Sequence, residues 1–446
     1  MGTGRACRAT RNALLALLKR FVDVREEEAQ AVLWSFIYFF TLMCGYFILK
    51  PVRDEMGTAS GVKDLKVLWT ATFVVMLIAV PVFAALIARW PRKRVIPLVY
   101  RFFLLNLLVF FVLLKLGVER QMVARAFYVW LSVYNLFVVS VFWSFMADLY
   151  ASEQGRRLFG FIAGGGTTGI LIGLLLVRQL AIPLGPTNLI LITMVLLEVS
   201  AQCVRYLGRW AREVQFPPST GEPVGGGVLS GLKLLVGSPF LLALALQTVC
   251  YTVTSSFLYI LQVKLVDTVA SGAAARTTAF ANIELWVQGL TLLIQAFVTG
   301  RLISKLGLAA AMAVVPVLTG LGFLALAVVP AMAMFIGVRS LRGASHYALE
   351  RPSREILFTT VTREEKYKAK NFIDTVVYRG GDVVGGWTEG GLAALGFGAA
   401  GVLLTALPMA GLWLALSLYL ARHPRVRRSA EEATLPSAVP GDAPAR

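Results

Sequence analysis

The stretch VLWTATFVVMLIAVPVFAALIARWPRKRVIPLVYRFFLLNLLVFFVLLKL (residues 67–116) holds two apolar runs, 67–88 and 96–116, on either side of a basic turn from Arg89 to Arg94. Each run has the roughly 20 residues that a helix needs to cross the hydrocarbon core of a bilayer. A basic turn between two such runs marks a cytoplasmic loop, because Lys and Arg accumulate on that side. The pair therefore reads as two spanning helices joined in the cytoplasm. Ten more runs of similar length extend the pattern: 31–50, 124–147, 157–180, 186–207, 239–262, 277–300, 308–328, 330–347, 372–395 and 397–420. The fold class expected is an all-α membrane protein with twelve transmembrane helices, although only Pro330 separates the ninth from the tenth.

Composition points the same way. Of the 446 residues 57% are hydrophobic and 15% charged, with a mean hydropathy of +0.71. A soluble chain rarely exceeds about half apolar residues. Cys7, Cys44, Cys203 and Cys250 lie far apart without a CxxC pair, and the only histidines are His346 and His423. That argues against a disulfide framework and against a zinc site, so no metal and no cofactor is expected. The short run Leu14 to Leu18 is flanked by Arg11 and by Lys19-Arg20. It reads as a basic amphipathic helix at the membrane surface, without the small-residue site of a cleaved signal.

With the N-terminus in the cytoplasm, one side receives Arg5 to Arg25, Arg92 to Arg94, Arg301, Lys305, the run Arg339 to Lys370 and the cluster Arg422 to Arg428. The other side receives about a third as many basic residues, which places both termini in the cytoplasm of a multi-pass inner-membrane protein. The net charge of +18 follows from this bias and from contact with anionic lipid, not from nucleic-acid binding.

The Pro- and Gly-rich stretch Phe216 to Gly227 divides the chain. The expected organisation is an interfacial segment (1–30), a six-helix bundle (31–210), a cytoplasmic linker (211–238), a second six-helix bundle (239–421) and a disordered tail (422–446). The halves look like repeats. Phe47-Ile48-Leu49 matches Tyr259-Ile260-Leu261, and Glu153, Arg157, Phe161-Ile162 and Gly169 match Glu364, Lys368, Phe372-Ile373 and Gly380. Two parallel six-helix repeats are the major-facilitator plan, with a solute site near mid-membrane.

Polar side chains inside such segments normally face a bundle interior or a wet cavity. In the eleventh segment Asn371, Asp374, Thr375, Tyr378, Arg379, Asp382 and Gly386 recur at three- and four-residue steps on one face. Further stripes are Glu284, Gln288, Thr291, Gln295 and Thr299 in the eighth, and Gln247, Tyr251, Ser255, Tyr259 and Gln262 in the seventh. The first segment offers Ser35, Tyr38, Lys50 and Arg53. Neutral stripes also serve simply to glue helices together. Arg379 and Asp382 suit a structural ion pair as well as a site, and Lys50 and Arg53 are near enough to a helix end to snorkel. Glu284 and Asp374 sit deeper, where a functional role is the better reading. The ninth and twelfth segments are nearly all apolar, as lipid-facing helices should be, whereas Glu198 and Gln202 in the sixth do not fit that plan. His346 borders a basic loop. Gly164-Gly165-Gly166 lacks the Lys-Ser/Thr ending of a phosphate loop and reads as a surface for close helix packing.

Two stretches, YFILKPVRDEMG (46–57) and YALERPSREILFTTVTREEKYKAKNFIDTVVYRGGD (347–382), resemble the nucleotide transporter family of plastids and intracellular bacteria. These are the ATP/ADP exchangers, distant relatives of the major facilitators. ADLYASEQGRRLFGFIAGGG (147–166) is similar to the matching segment of free-living bacterial members. Lys50, Arg53 and Asp54 occupy the family's two basic places and its acid, while Pro51 stands where the exchangers usually have an acid. Pro352, Arg354 and Glu355 meet its Pro-x-basic-Glu, Lys368, Lys370 and Asp374 its Lys-x-Lys and acid, and Arg379 and Gly381 its Arg-x-Gly. The resemblance implies a nucleotide or another anionic small molecule as substrate, bound by phosphate contacts to some of these cations. A substrate-binding set of Lys50, Arg53, Tyr259, Glu284, Lys368, Lys370, Asp374, Tyr378, Arg379 and Asp382 follows, with Tyr38, Tyr259 or Tyr378 available to stack a base. A monomer without enzymatic activity, working by alternating access, is expected. Other organic anions or drug-like solutes moved with protons, through Asp374 or Glu284, are the alternative, and a membrane protein without transport, such as a scramblase, is the last.

Overall fold

The computed structural model describes residues 23–89, 92–213 and 228–426. The N-terminal segment expected on the membrane surface, the linker Phe216 to Gly227 and the tail beyond residue 426 lie outside the described residues. Within them every regular element is helical. In chain order these are α1 (Ala29–Ala59), α2 (Leu65–Arg89), α3 (Arg92–Leu116), α4 (Arg120–Leu149), α5 (Ser152–Leu184) and α6 (Leu189–Glu213). The short α7 (Val228–Val236) precedes α8 (Pro239–Val269), α9 (Ala273–Ile294), α10 (Gly300–Val328), α11 (Met332–Ser345) and α12 (Arg351–Thr359). α13 (Arg363–Phe372), α14 (Tyr378–Ala394), α15 (Ala399–Thr405) and α16 (Leu407–Arg422) complete the chain. Three π-helical segments, Gln295–Thr299, His346–Glu350 and Ile373–Val377, continue α9 into α10, α11 into α12 and α13 into α14.

Nine helical stretches of the described residues are long and apolar enough to span a membrane. They overlap the expected runs, the first and seventh reaching beyond their expected ends to Ala59 and Val269, and three further differences each have a physical cause. Ala273–Val328 is one stretch where two runs were expected, because the only break is at Gly307, whose φ of 79° interrupts the helical backbone without ending the apolar sequence. The tenth and eleventh runs are not apolar enough to be counted, because Arg339 and Arg342 stand in the one and Asp374, Arg379, Asp382 and Glu389 in the other. The tenth run also continues past its expected end at 347, through His346–Glu350 to Thr359.

Large apolar side chains on α2 and α3 point outward. Ile78 and Val82 are each 63% exposed and Phe102 is 58% exposed. A patch of this extent suits lipid, not water. Glu198 lies on the same exterior, 3.9 Å from Arg101 and hydrogen-bonded to Gln202, which accounts for the polar pair that the sixth run could not place. Cys44, Cys203 and Cys250 are buried free thiols, in keeping with a packing role.

The described chain forms two compact units, Met1–Glu222 with Tyr259–Gly289, and Pro223–Leu258 with Leu290–Arg446. In the first unit α5 lies against α1 through glycines four residues apart. A Cβ on Gly165 would meet the carbonyl oxygen of Phe36 at 2.5 Å, one on Gly173 the carbonyl oxygen of Cys44 at 2.6 Å, and one on Gly169 would collide with that of Phe40. The glycine run is thus a packing surface. The second unit repeats the device, with Gly381 of α14 on Thr252 of α8 and Gly385 on Ser256. Thr252, Ser256, Gly381 and Gly385 each lie 212 residues after Phe40, Cys44, Gly169 and Gly173, so the contact recurs in a register that pairs Gly169 with Gly381, one residue on from the Gly380 of the sequence match.

Candidate functional site

In the first unit the polar groups gather at the C-terminal half of α1. Pro51 lies inside this helix and has no amide hydrogen to donate, which loosens the turn that carries Lys50 and Arg53. The Lys50 ammonium is 2.8 Å from Oε2 of Glu284 on α9, and Gln288 donates to Oε1 of the same carboxylate at 2.8 Å. Arg53 binds the neighbouring Asp54 at 2.6 Å through Nη2 and lies over the Tyr128 ring at 4.8 Å. The Tyr259 hydroxyl donates to the same Asp54 oxygen at 2.9 Å, its ring 5.7 Å from Trp69. Glu55 pairs with Arg276 at 2.9 Å. A cavity of about 390 Å³ lies against this end of α1, lined by Glu55, Ser60, Arg120, Gln121 and Thr187 among others.

Four of the expected residues, Lys50 with Glu284, and Arg53 with Tyr259 through their shared partner Asp54, thus meet in one unit, although they come from separate stretches of sequence. Tyr38 does not join them. It is fully buried, its hydroxyl bonded to that of Tyr100 and its ring packed edge-on against Phe142, so it is a core residue without a face to offer a base.

In the second unit the remaining expected residues lie along α13 and α14. Asp374 holds Arg354 at 2.5 Å, Lys370 pairs with Glu355 at 2.6 Å, and Arg379 reaches Asp382 at 3.3 Å. Tyr378 is 6.1 Å from Tyr251, and Lys368 is half-buried on α13, where its carbonyl oxygen packs on Gly231 of α7.

A deeper cluster stands beside them that sequence reasoning passed over. Arg342 is only 2% exposed. Its guanidinium donates to Thr319, Thr254, Ser255 and the Tyr251 carbonyl at 2.9 to 3.3 Å, and lies over the Tyr251 and Trp413 rings. Those partners are all neutral. One and two turns on, His346 Nδ1 is 2.8 Å from Oε2 of Glu350, whose other oxygen accepts from Trp413 Nε1 at 3.1 Å. Trp413 and Ser417 on α16, and Thr319 on α10, are therefore buried contributors from the nearly all-apolar segments expected to be lipid-facing. A signal was present, since Arg342, His346, Glu350 and Arg354 follow at four-residue steps on one helical face.

Long apolar helices mark an all-α, multi-pass membrane protein, and its fold is the major-facilitator fold. Solved structures share it. The structure of the POT family transporter PepTSo aligns at 11% identity over 90% of this chain and 98% of that one, with a TM-score of 0.64. A point-mutant form of the nucleoside transporter NupG aligns at 13% over 87% and 98%, with a TM-score of 0.58. A bacterial homologue of the lysosomal transporter Spinster, inward-facing and unoccupied, aligns at 13% over 92% and 95%, with a TM-score of 0.53. No protein-family model and no curated protein sequence matches the chain.

Proposed function

We propose that the chain is a secondary transporter of an anionic solute, and that the solute is a nucleotide moved by exchange. The observation that carries this is the set of cations held largely out of water: Lys50 and Arg53 in one unit, and Arg342, Arg354 and Arg379 in the other. Each costs about 3 kcal/mol to insert at mid-membrane on experimental scales, so their retention calls for a use. Arg grips phosphate oxygens two at a time and Lys supplies a compact charge. Lys50, Arg53, Lys370 and Arg379 each face a carboxylate, Glu284, Asp54, Glu355 and Asp382. A phosphate arriving in the site would take the place of that carboxylate. Lys50, Arg53, Tyr259, Glu284, Lys368, Lys370, Asp374, Tyr378, Arg379 and Asp382 make up the proposed substrate-binding set.

The similarity to proteins named as transporters supports transport as the activity, and the one named as a nucleoside transporter supports a nucleoside moiety. The resemblance of residues 46–57 and 347–382 to the ATP/ADP exchangers supports the phosphates. Alternating access by two six-helix repeats, with both termini in the cytoplasm of an inner-membrane protein, completes the proposal. An empty basic site is reluctant to reorient, so inward movement of one nucleotide demands outward movement of another. Labelled ATP or ADP uptake into proteoliposomes tests it. Uptake that depends on internal unlabelled nucleotide is expected, and failure of excess ATP and ADP to compete for any uptake would remove the nucleotide.

A further inference from the structure

We propose that the outer face formed by α3 and α6 is the contact surface between two copies of this chain. Arg101 of each copy pairs there with Glu198 of the other, across a two-fold axis along the membrane normal.

α3 packs along α6 in the first unit, and the two helices share one outward face. Most of that face is apolar, with Phe102 58% and Val195 65% exposed. Four polar side chains interrupt it: Arg101, Glu198, Gln202 and Arg205. Glu198 lies twelve residues after Pro186 and thirteen before Ala211, the ends of its apolar span, so the nearer end is about 18 Å away along the helix. A short carboxylate at that depth does not reach the headgroups. Charged groups inside a membrane normally face a bundle interior or a wet cavity. Here the Arg101 and Glu198 side chains are 48% and 40% exposed on the exterior.

The chain does not satisfy these groups by itself. The contact from Arg101 Nη2 to Glu198 Oε1, at 3.9 Å, is too long for a hydrogen bond, and among the described residues the Arg101 guanidinium donates none. Gln202 donates to Glu198 Oε1 and accepts from Arg205 at 3.4 Å, which leaves Glu198 Oε2 without a hydrogen bond among those residues. Hydrocarbon offers no water to fill what remains. The monomer expected from the sequence would turn these donors and this oxygen toward lipid tails.

A second copy supplies what is missing. The face carries an acid and a base at one depth, since the two already lie 3.9 Å apart. Rotation about an axis along the membrane normal preserves depth. It therefore brings the second carboxylate to the level of the first Arg101, and the second guanidinium to the level of the first Glu198. Any other membrane protein would have to match both charges at this one level, whereas a second copy does so by symmetry. Around the charges, Leu98, Phe102 and Leu105 on α3 and Leu191, Val195 and Glu198 on α6 keep the three- and four-residue steps of a helix seam. Helices from two copies can pack along such seams and shut lipid away from the pair.

Energy transfer between full chains labelled with donor or acceptor, reconstituted at a high lipid-to-protein ratio, tests the surface. The wild type is expected to show transfer that survives further dilution with lipid. Arg101→Glu sets two acids at this level and Glu198→Arg two bases, so each alone is expected to lose most of the transfer. Donor-labelled Arg101→Glu mixed with acceptor-labelled Glu198→Arg is expected to regain it, which a purely intramolecular pair does not produce. Where charge reversal prevents folding, Arg101→Gln and Glu198→Gln keep the shape of the face and are each expected to weaken association severalfold. A wild type that stays single in the bilayer, variants with unchanged transfer, or folded reversed variants that fail to pair in the mixture overturns the surface. So does a partner of different sequence crosslinked at this face in place of a second copy.

Discussion

The Lys50 ammonium sits 2.8 Å from the Glu284 carboxylate, joining α1 to α9 across 234 residues of sequence at a point where the two side chains are 18% and 8% exposed. A buried carboxylate stripped of its cation is far worse than a pair removed together, because the remaining charge keeps its desolvation cost. Lys50→Ala should therefore destabilise the protein by about 3–5 kcal/mol, and Lys50→Ala with Glu284→Ala should recover most of that loss. Thermal melting of the three variants in one detergent decides the matter. A loss in the double variant equal to the sum of the losses in Lys50→Ala and Glu284→Ala would show that the pair contributes no coupling.

The glycine contacts make a different prediction in each unit. At Gly381 the obstacle to a side chain is the Thr252 hydroxyl, whereas at Gly169 it is the Phe40 backbone carbonyl. Overpacking costs about 1–3 kcal/mol when neighbours must shift. Gly381→Ala should lower the melting temperature and Thr252→Ala should restore it. Gly169→Ala should do as much harm with no side-chain substitution able to relieve it. Gly160→Ala, on the same helix with open space at its Cβ, is the control and should be silent.

These contacts show how far sequence could reach. Apolar run length is a local property, so ten of the twelve expected helices were visible as runs with nearly correct bounds. Glycine spacing was equally visible, because close packing leaves its mark on every fourth residue. Partners were another matter. Periodicity places Glu284 and Lys50 each on a helical face but not opposite one another, since that depends on how α1 and α9 pack. His346 was missed for a related reason. The charges of the Arg339 to Lys370 run lower its hydropathy to that of a loop, yet Arg342 and Glu350 are 2% and 4% exposed, held by Thr254, Thr319 and Trp413 from three other helices. Cations satisfied by tertiary contacts look solvent-exposed in a one-dimensional scan.

The proposed anion site predicts a graded response at Arg53 and Arg379. Arg53 engages Asp54 through two nitrogens while lying over Tyr128, a geometry a lysine cannot copy. Labelled ADP uptake should fall by at least about tenfold in Arg53→Ala and Arg379→Ala, with Arg53→Lys little better than alanine, since about 1.4 kcal/mol of lost binding already gives that factor. Each variant is compared at equal amounts of monodisperse protein. Normal uptake by Arg379→Ala would remove it from the site.

Acid should weaken the first unit through Glu28, just ahead of α1. Burial opposes its charged form, but the Arg25 amide, the Gln154 side chain and the Arg157 guanidinium all donate to it and together hold its carboxyl below the usual carboxylate range. A carboxylate whose folded pKa is depressed adds stability above its unfolded pKa, and that contribution disappears as pH falls through the folded value. Glu28→Gln should therefore cost about 2 kcal/mol at neutral pH, the range for hydrogen bonds to a charged group, and progressively less as the pH drops below that of an ordinary carboxylate. Melting temperatures of wild type and variant, followed from neutral to acid, should converge. Curves that stay parallel would show that the Glu28 charge is not what ties α5 to the start of α1.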